Sequence, residues 1–233
     1  MTQARNNYAR IIAKYKALGK GDVRLTESTL ALIQPINAAK TSYLFPVLEN
    51  ENVNGLAPAV DEIRLNINDE FIVGSIGMYL YGSTAKSQGA IQRQIHTYAP
   101  NELNAVFNGV SDFYAGFLSV AVNKINYIDK WDSRKHQYVP RTQWANLGIV
   151  DTNKNYPATQ ADKKLDEHGV FNAQPNFTLS GAKKNEVSVN MPAAITPVSA
   201  SWIDSNNETQ LVTIDKMIIV FRGLLAQNAA RFQ

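Results

Sequence analysis

Metal chemistry would first be sought at the three histidines, His96, His136 and His168, which stand 40 and 32 positions apart. Two imidazoles supplied to one metal by a single element need HxH or HxxxH spacing, so that both rings share a face. No pair here has it. The chain has no cysteine, which removes thiolate metal sites, thiol nucleophiles and disulfides together. The run Ile36-Asn37-Ala38-Ala39-Lys40-Thr41 ends in Lys-Thr as a phosphate loop does, but it lacks both glycines that let backbone amides cradle a phosphate. It reads as a turn. In Gly74-Ser75-Ile76-Gly77 the first glycine precedes the serine by one position, whereas a nucleophile elbow needs two. Ser75 is therefore expected on a strand. The stretch Asp151-Thr152-Asn153-Lys154-Asn155 opens like an EF-hand loop, yet Tyr156 replaces the turn glycine and Asp162 the bidentate glutamate. A solvated Asn-rich loop fits it better. The paired carboxylates Asp61-Glu62 and Asp69-Glu70 sit next to each other in the chain, and adjacent strand residues point to opposite faces. General acid and base work needs two carboxyls facing one substrate, so these four are read as turn and edge charges that discourage stray strand pairing. No catalytic template is met. A non-enzymatic protein without cofactor, metal or small-molecule substrate is expected, with its function in its surfaces.

Two stretches could supply such surfaces. Arg5, Arg10, Lys14, Lys16 and Lys20 give residues 1–20 a charge of +5 with no acid, which leaves 18 basic against 20 acidic residues, or −2, for the rest. Such asymmetry points to an arm that meets something anionic: nucleic acid, acidic lipid or an acidic face of a neighbouring subunit. The competing reading is a helix that packs its apolar side on the domain and leaves its lysines in water. The second stretch gathers Trp131, Arg134, Tyr138, Arg141 and Trp144. These residue types form interface hot spots or stacking surfaces for bases and sugars. Asp129 and Asp132 dilute the positive potential and favour a protein interface over nucleic acid. Trp131 and Tyr138 as core residues of a hairpin are the alternative.

The elements that must position these residues are mostly strands. Tyr8, Ile11, Ile12, Tyr15 and Leu18 recur at helical spacing up to Gly19 and predict one amphipathic helix. Strands are expected over Val23–Ile36 and over Ser42–Leu48, where Pro46 marks a sheet edge. Ile63, Leu65 and Ile67 predict a further strand, Asn68-Asp69 a turn, and Phe71–Tyr81 a strand bulged near Gly74 and Gly77. Residues 82–104 read as a long polar loop that is functional or hides a short element. Phe113–Ile128 is expected as one bulged strand with a phase slip at Asn123-Lys124. Trp144–Val150 could form another, and 151–185 is the least ordered-looking region, with a possible helical turn at Asp162–His168. Glu186–Met191 alternates, and Met217–Phe221, apolar on both faces, belongs in the middle of a packed sheet. The fold class expected is all-β: an antiparallel β-sandwich over 21–233, preceded by a basic helical arm over 1–20. Neither a signal peptide nor a membrane span is expected, so folding in a cytosol-like compartment is.

The basic helix, Glu62-Ile63-Arg64-Leu65-Asn66-Ile67, Asp69-Glu70-Phe71-Ile72-Val73, His136-Gln137-Tyr138-Val139-Pro140-Arg141-Thr142-Gln143 and the closing Phe221-Arg222-Gly223-Leu224-Leu225-Ala226-Gln227-Asn228 resemble jelly-roll capsid proteins of tailless icosahedral bacteriophages. The resemblance is one of texture over most of the chain. It implies a virion protein made in the host cytoplasm that self-associates into an icosahedral shell with other capsid proteins. Loops would make the subunit contacts, and the N-terminal helix would face genome or an internal membrane. Double jelly-roll subunits are generally longer, so a single jelly roll with insertions is expected. A carbohydrate-binding or adhesion β-sandwich that stacks sugars on Trp131, Tyr138 and Trp144 is the competing function.

Overall fold

The computed structural model describes residues 2–17, 23–51, 61–86, 92–96, 109–137, 169–203 and 209–232. Within them the chain forms helix α1 (Thr2–Ala17), strands β1 (Arg24–Pro35), β2 (Ser42–Phe45), β3 (Glu70–Lys86) and β4 (Gln92–His96), and helix α2 (Gly109–Tyr114). Strands β5 (Phe117–Val122), β6 (Ile125–Asp132), β7 (Val170–Ser180), β8 (Asn185–Asn190), β9 (Val198–Ile203) and β10 (Thr209–Gln227) follow. The strands make two antiparallel sheets. In the larger, β10 lies between β1 and β3; β9 continues the β1 side along β10, and β7 and β4 follow each other along β3. The smaller has the order β2-β8-β5-β6.

Strand pairs nest inside one another along the sequence. The outermost, β1 with β10, encloses β2 with β8, which encloses β3 with β7, which encloses β5 with β6. Two further pairings, β10 with β3 and β8 with β5, join these hairpin-like pairs into the two sheets.

Inner faces of both sheets share one core. Leu32, Phe71, Ile76 and Phe221 from the larger meet Phe45, Leu118, Val120, Val187 and Val189 from the smaller, an arrangement consistent with a β-sandwich. Each such fully buried side chain contributes about 1.5–3 kcal/mol. The smaller sheet is buried on one face only, so β5 alternates Leu118, Val120 and Val122 inward with Phe117, Ser119 and Ala121 outward. The larger sheet is buried on both faces. Met217, Ile219 and Phe221 enter the shared core, while Ile218 joins Ala31, Ile33, Tyr79 and Tyr81 on the outer face. Its two-faced apolar run places β10 in the centre of the sheet, as expected from the sequence.

Several expectations need correction. Ile63, Leu65 and Ile67 do not line one face of a strand: Leu65 is buried at 1% exposure, whereas Ile63 and Ile67 stand 52% and 47% exposed. The segment makes only isolated bridges, antiparallel from Ile63 to Ala31 and parallel from Leu65 to Leu48, because it crosses from one partner to another. The phase slip at Asn123-Lys124 is a two-residue hairpin turn, with φ of 49° and 67°, the double positive φ of a type I′ connection. It divides the expected single strand into β5 and β6, and Phe113 falls in α2. The polar loop contains β4 and the end of β3, and the region over 151–185 contains β7 and the start of β8. Trp144–Val150 and Asp162–His168 lie outside the described residues. The bulge expected near Gly74 is present: Arg222 pairs with Ser75 and Gly223 with Val73, leaving Gly74 as the extra residue.

Candidate functional site

Helix α1 does not stand apart from the sandwich. Tyr15 is buried and Ile11 half-buried one turn before it, and both pack on the outer face of the larger sheet against Leu25, Ile72, Leu224, Ala226 and Ala229. The apolar spacing exists for this docking. Tyr15 Oη donates to Glu70 Oε2 at 2.6 Å in a buried contact. Arg10, Lys14 and Lys16 remain exposed. Lys14 and Lys16 fall in the last turn, where the helix dipole favours positive charge. Arg5 lies in α1, and Lys20 lies outside the described residues. The basic side is thus presented on a helix held in place by its opposite side.

The Tyr15 hydroxyl is pushed above its ordinary pKa of 10.0, first by burial and then by its hydrogen bond to Glu70 and that carboxylate's charge. In the unfolded chain the phenol ionises at its ordinary value, so above it the unfolded state binds fewer protons than the folded one. The stability Tyr15 contributes is therefore present below about pH 10 and drains as the pH rises above it. The thermal midpoint should fall between about pH 9 and pH 11, and fall less in Tyr15→Phe; circular dichroism at stepped pH measures both slopes.

Asp61 and Asp69 stand at turns, as expected, but the four paired carboxylates are bonded inward and do not guard a sheet edge. Asp61 accepts from Tyr81 Oη. Glu62 binds Arg64 at 2.8 Å and accepts from the Ile33 amide at 3.2 Å. Asp69 Oδ1 accepts from the Asn228 amide at 2.8 Å, and Glu70 holds Tyr15. Each ties the 61–70 crossing to a distant part of the chain: Tyr81, Ile33, Asn228 and Tyr15.

The Trp131 corner is built as a knot. Asp132 Oδ1 accepts from the Arg134 amide at 2.9 Å and caps the 3-10 turn Ser133–His136, a short polar side chain satisfying an orphan amide. That turn sends His136 inward to 0% exposure. Trp131 Nε1 donates to His136 Nε2 at 2.8 Å, and His136 Nδ1 lies 2.5 Å from the Gly169 carbonyl oxygen. An indole N–H can only donate. His136 Nε2 must therefore accept, and the imidazole is the neutral tautomer with its proton on Nδ1, donating to Gly169. Phe171 meets the imidazole edge-on at 5.3 Å, and Lys135 Nζ lies 4.4 Å from the centre of the Trp131 ring. Burial lowers the His136 pKa from its ordinary value, against the opposing pull of the Gly169 hydrogen bond.

Of the five residues named for an interface, Trp131 is half-buried and Arg134 exposed; Tyr138, Arg141 and Trp144 lie outside the described residues. Trp131 packs against the shared core, its N–H is engaged internally and Lys135 covers part of its ring, which leaves little of it as a sugar-stacking platform. In the sequence His136 is weighed only as a metal ligand; its bonding role is not legible there, because its partner Gly169 is 33 positions away and no local spacing links them. Among the described residues no group of His, Asp and Glu is placed to hold a metal ion; Asp151 to Asp162 and His168 are outside them. Also among the described residues, no helix is long and apolar enough to cross a membrane. No family model matches the chain, and no curated protein or solved structure does.

Proposed function

We propose that this chain is a structural virion protein: a jelly-roll capsid subunit that self-associates into a closed shell with copies of itself and other capsid proteins, with α1 turned toward an anionic interior. The observation that carries this reading is the nested pairing β1·β10, β2·β8, β3·β7 and β5·β6. A single long antiparallel ribbon rolled into two four-stranded layers gives this order, and eight-stranded rolls of this kind serve viral shells, lectins and cupins. Two features favour the shell among these. The space between the sheets is filled by Leu118, Val120, Val187, Val189 and Phe221, which leaves the described interior as packed core, whereas a lectin would use an aromatic platform and Trp131 is turned to internal bonding. The exposed Arg10, Lys14 and Lys16 ride on a helix fixed to the outer face of the larger sheet, so their charge has a set direction relative to the strands. That face would be the inner surface of the shell, toward genome or acidic lipid, in a particle formed in the host cytoplasm.

The combined variant Arg10→Glu, Lys14→Glu and Lys16→Glu separates anion contact from folding, because none of the three side chains is buried. Its thermal midpoint should fall by only a few degrees, because the reversed charges oppose the helix dipole but uncover no buried side chain. Affinity for single-stranded DNA or for phosphatidylserine vesicles should fall at least about tenfold at low salt, and the salt dependence should flatten. Fluorescence anisotropy and vesicle sedimentation distinguish the two anions. Unchanged binding to both would remove the inward-facing role of α1.

A further inference from the structure

His136 joins two parts of the fold through a pair of bonds that only a neutral imidazole can make together, donating to Gly169 and accepting from Trp131. The 3-10 turn Ser133–His136 follows β6 in the smaller sheet, while Gly169 opens β7 in the larger. His136 and Gly169 also bracket residues 138–168 in the chain. Donation from Nδ1 to the Gly169 carbonyl survives protonation of the ring, but acceptance from Trp131 does not. A proton on Nε2 sets two donors face to face at 2.8 Å, and at 0% exposure no water can stand between them. We propose that His136 is an acid-released clasp, which holds β6 and its 3-10 turn to the start of β7 while neutral and lets that junction open once protonated.

The surroundings offer little to neutralise an imidazolium. On its own turn stand Arg134 and Lys135, with Asp132 at the cap already bonded to the Arg134 amide. The elements packed against the turn are α2, β3 and β7. Helix α2 brings Asp112, half-exposed, and the buried Tyr114; β3 brings Tyr79 and the Met78 sulfur, which accepts from Ser133 Oγ at 3.8 Å. Strand β7 has no ionisable side chain from Val170 to Ser180. On the Trp131 strand, Asp129 and Lys130 are exposed and of opposite sign. No carboxylate replaces the lost Trp131 bond, so the charge is relieved by moving the ring toward water.

In the open junction His136 titrates near the ordinary imidazole value of 6.5, and in the closed one protonation is suppressed. Acidification below that value therefore favours opening, by at most about tenfold per pH unit for one proton. Hydrogen exchange read by mass spectrometry on the full chain tests this, whether or not it is assembled. After correction for the chemical exchange rate, amides of 133–137 and 170–173 should lose protection by up to about tenfold per unit below about pH 6.5, while those of Met217–Phe221 stay unchanged. His136→Gln keeps one donor and one acceptor without a titrating ring and should flatten the response. Should that variant not fold, Trp131→Phe removes the opposing donor and should make the response shallower. A flat parent profile overturns the clasp. So does the same slope in whichever variant folds, or loosening of Met217–Phe221 in step with the junction, which would mean global acid unfolding.

Discussion

Replacing Gly223 or Gly82 by alanine is expected to remove about 3 kcal/mol or more of stability, enough to bring the protein near its unfolding threshold at ordinary temperature. Both glycines sit in the ladder between β3 and β10, the two longest strands at 17 and 19 residues. That ladder slips twice, and each strand supplies one extra residue: Asp215 in β10, where Ile214 pairs with Gly82 and Lys216 with Tyr81, and Gly74 in β3, where Arg222 pairs with Ser75 and Gly223 with Val73. A bulge bends its strand and re-aims the neighbouring backbone. Here it presses a carbonyl onto each facing glycine. A Cβ on Gly82 would stand 1.9 Å from the Thr213 oxygen, and one on Gly223 1.9 Å from the Ile72 oxygen. Both obstacles are ladder backbone, which cannot step aside as a side-chain tip can. Gly74 is the control, since its added Cβ would meet the Arg222 oxygen at 3.4 Å, and Gly74→Ala should cost no more than about 1 kcal/mol. Urea denaturation of the three variants measures the difference. Equal, small losses in all three would show that the ladder is looser than its geometry.

Deleting residues 2–17 should cost about 3–5 kcal/mol and reduce solubility. It uncovers Ile72, Leu224 and Ala226 on the outer face of the larger sheet and takes the Tyr15 hydroxyl from Glu70, which is 6% exposed. A buried carboxylate that loses its donor loses more than a neutral pair would. Tyr15→Phe isolates that component and should cost about 1–3 kcal/mol, with faster proteolysis near the N-terminus. The charge-reversed helix, by contrast, should remain folded and docked. If deletion and charge reversal both leave stability unchanged, α1 is an undocked arm and its apolar stripe serves another purpose.

These outcomes mark where sequence was informative. The two-faced apolar run Met217–Phe221 and the alternating Leu118–Val122 and Val187–Met191 identified central and half-buried strands, because burial on one or both faces writes directly into hydrophobic pattern. Strand β7 was hidden. Its segment Val170–Ser180 holds Asn172, Gln174, Pro175 and Asn176, and exposed residues break its alternation. The Asn123-Lys124 turn was hidden too, since neither residue is glycine and both take positive φ. Among candidate surfaces, the helix and its charge were legible, because amphipathic spacing is local. The Trp131 cluster was legible as a cluster but not as a knot: its partners, His136 through a 3-10 turn and Gly169 across the fold, are fixed by tertiary packing. The same holds for Asp61, Glu62, Asp69 and Glu70, whose distant partners are Tyr81, Ile33, Asn228 and Tyr15.

Assembly is the central claim, and negative-stain electron microscopy of the purified full chain, paired with light scattering on a sizing column, tests it most directly. A capsid subunit should give closed particles of uniform size, formed alone or on addition of single-stranded DNA or acidic vesicles. A strict monomer under all three conditions would contradict the claim.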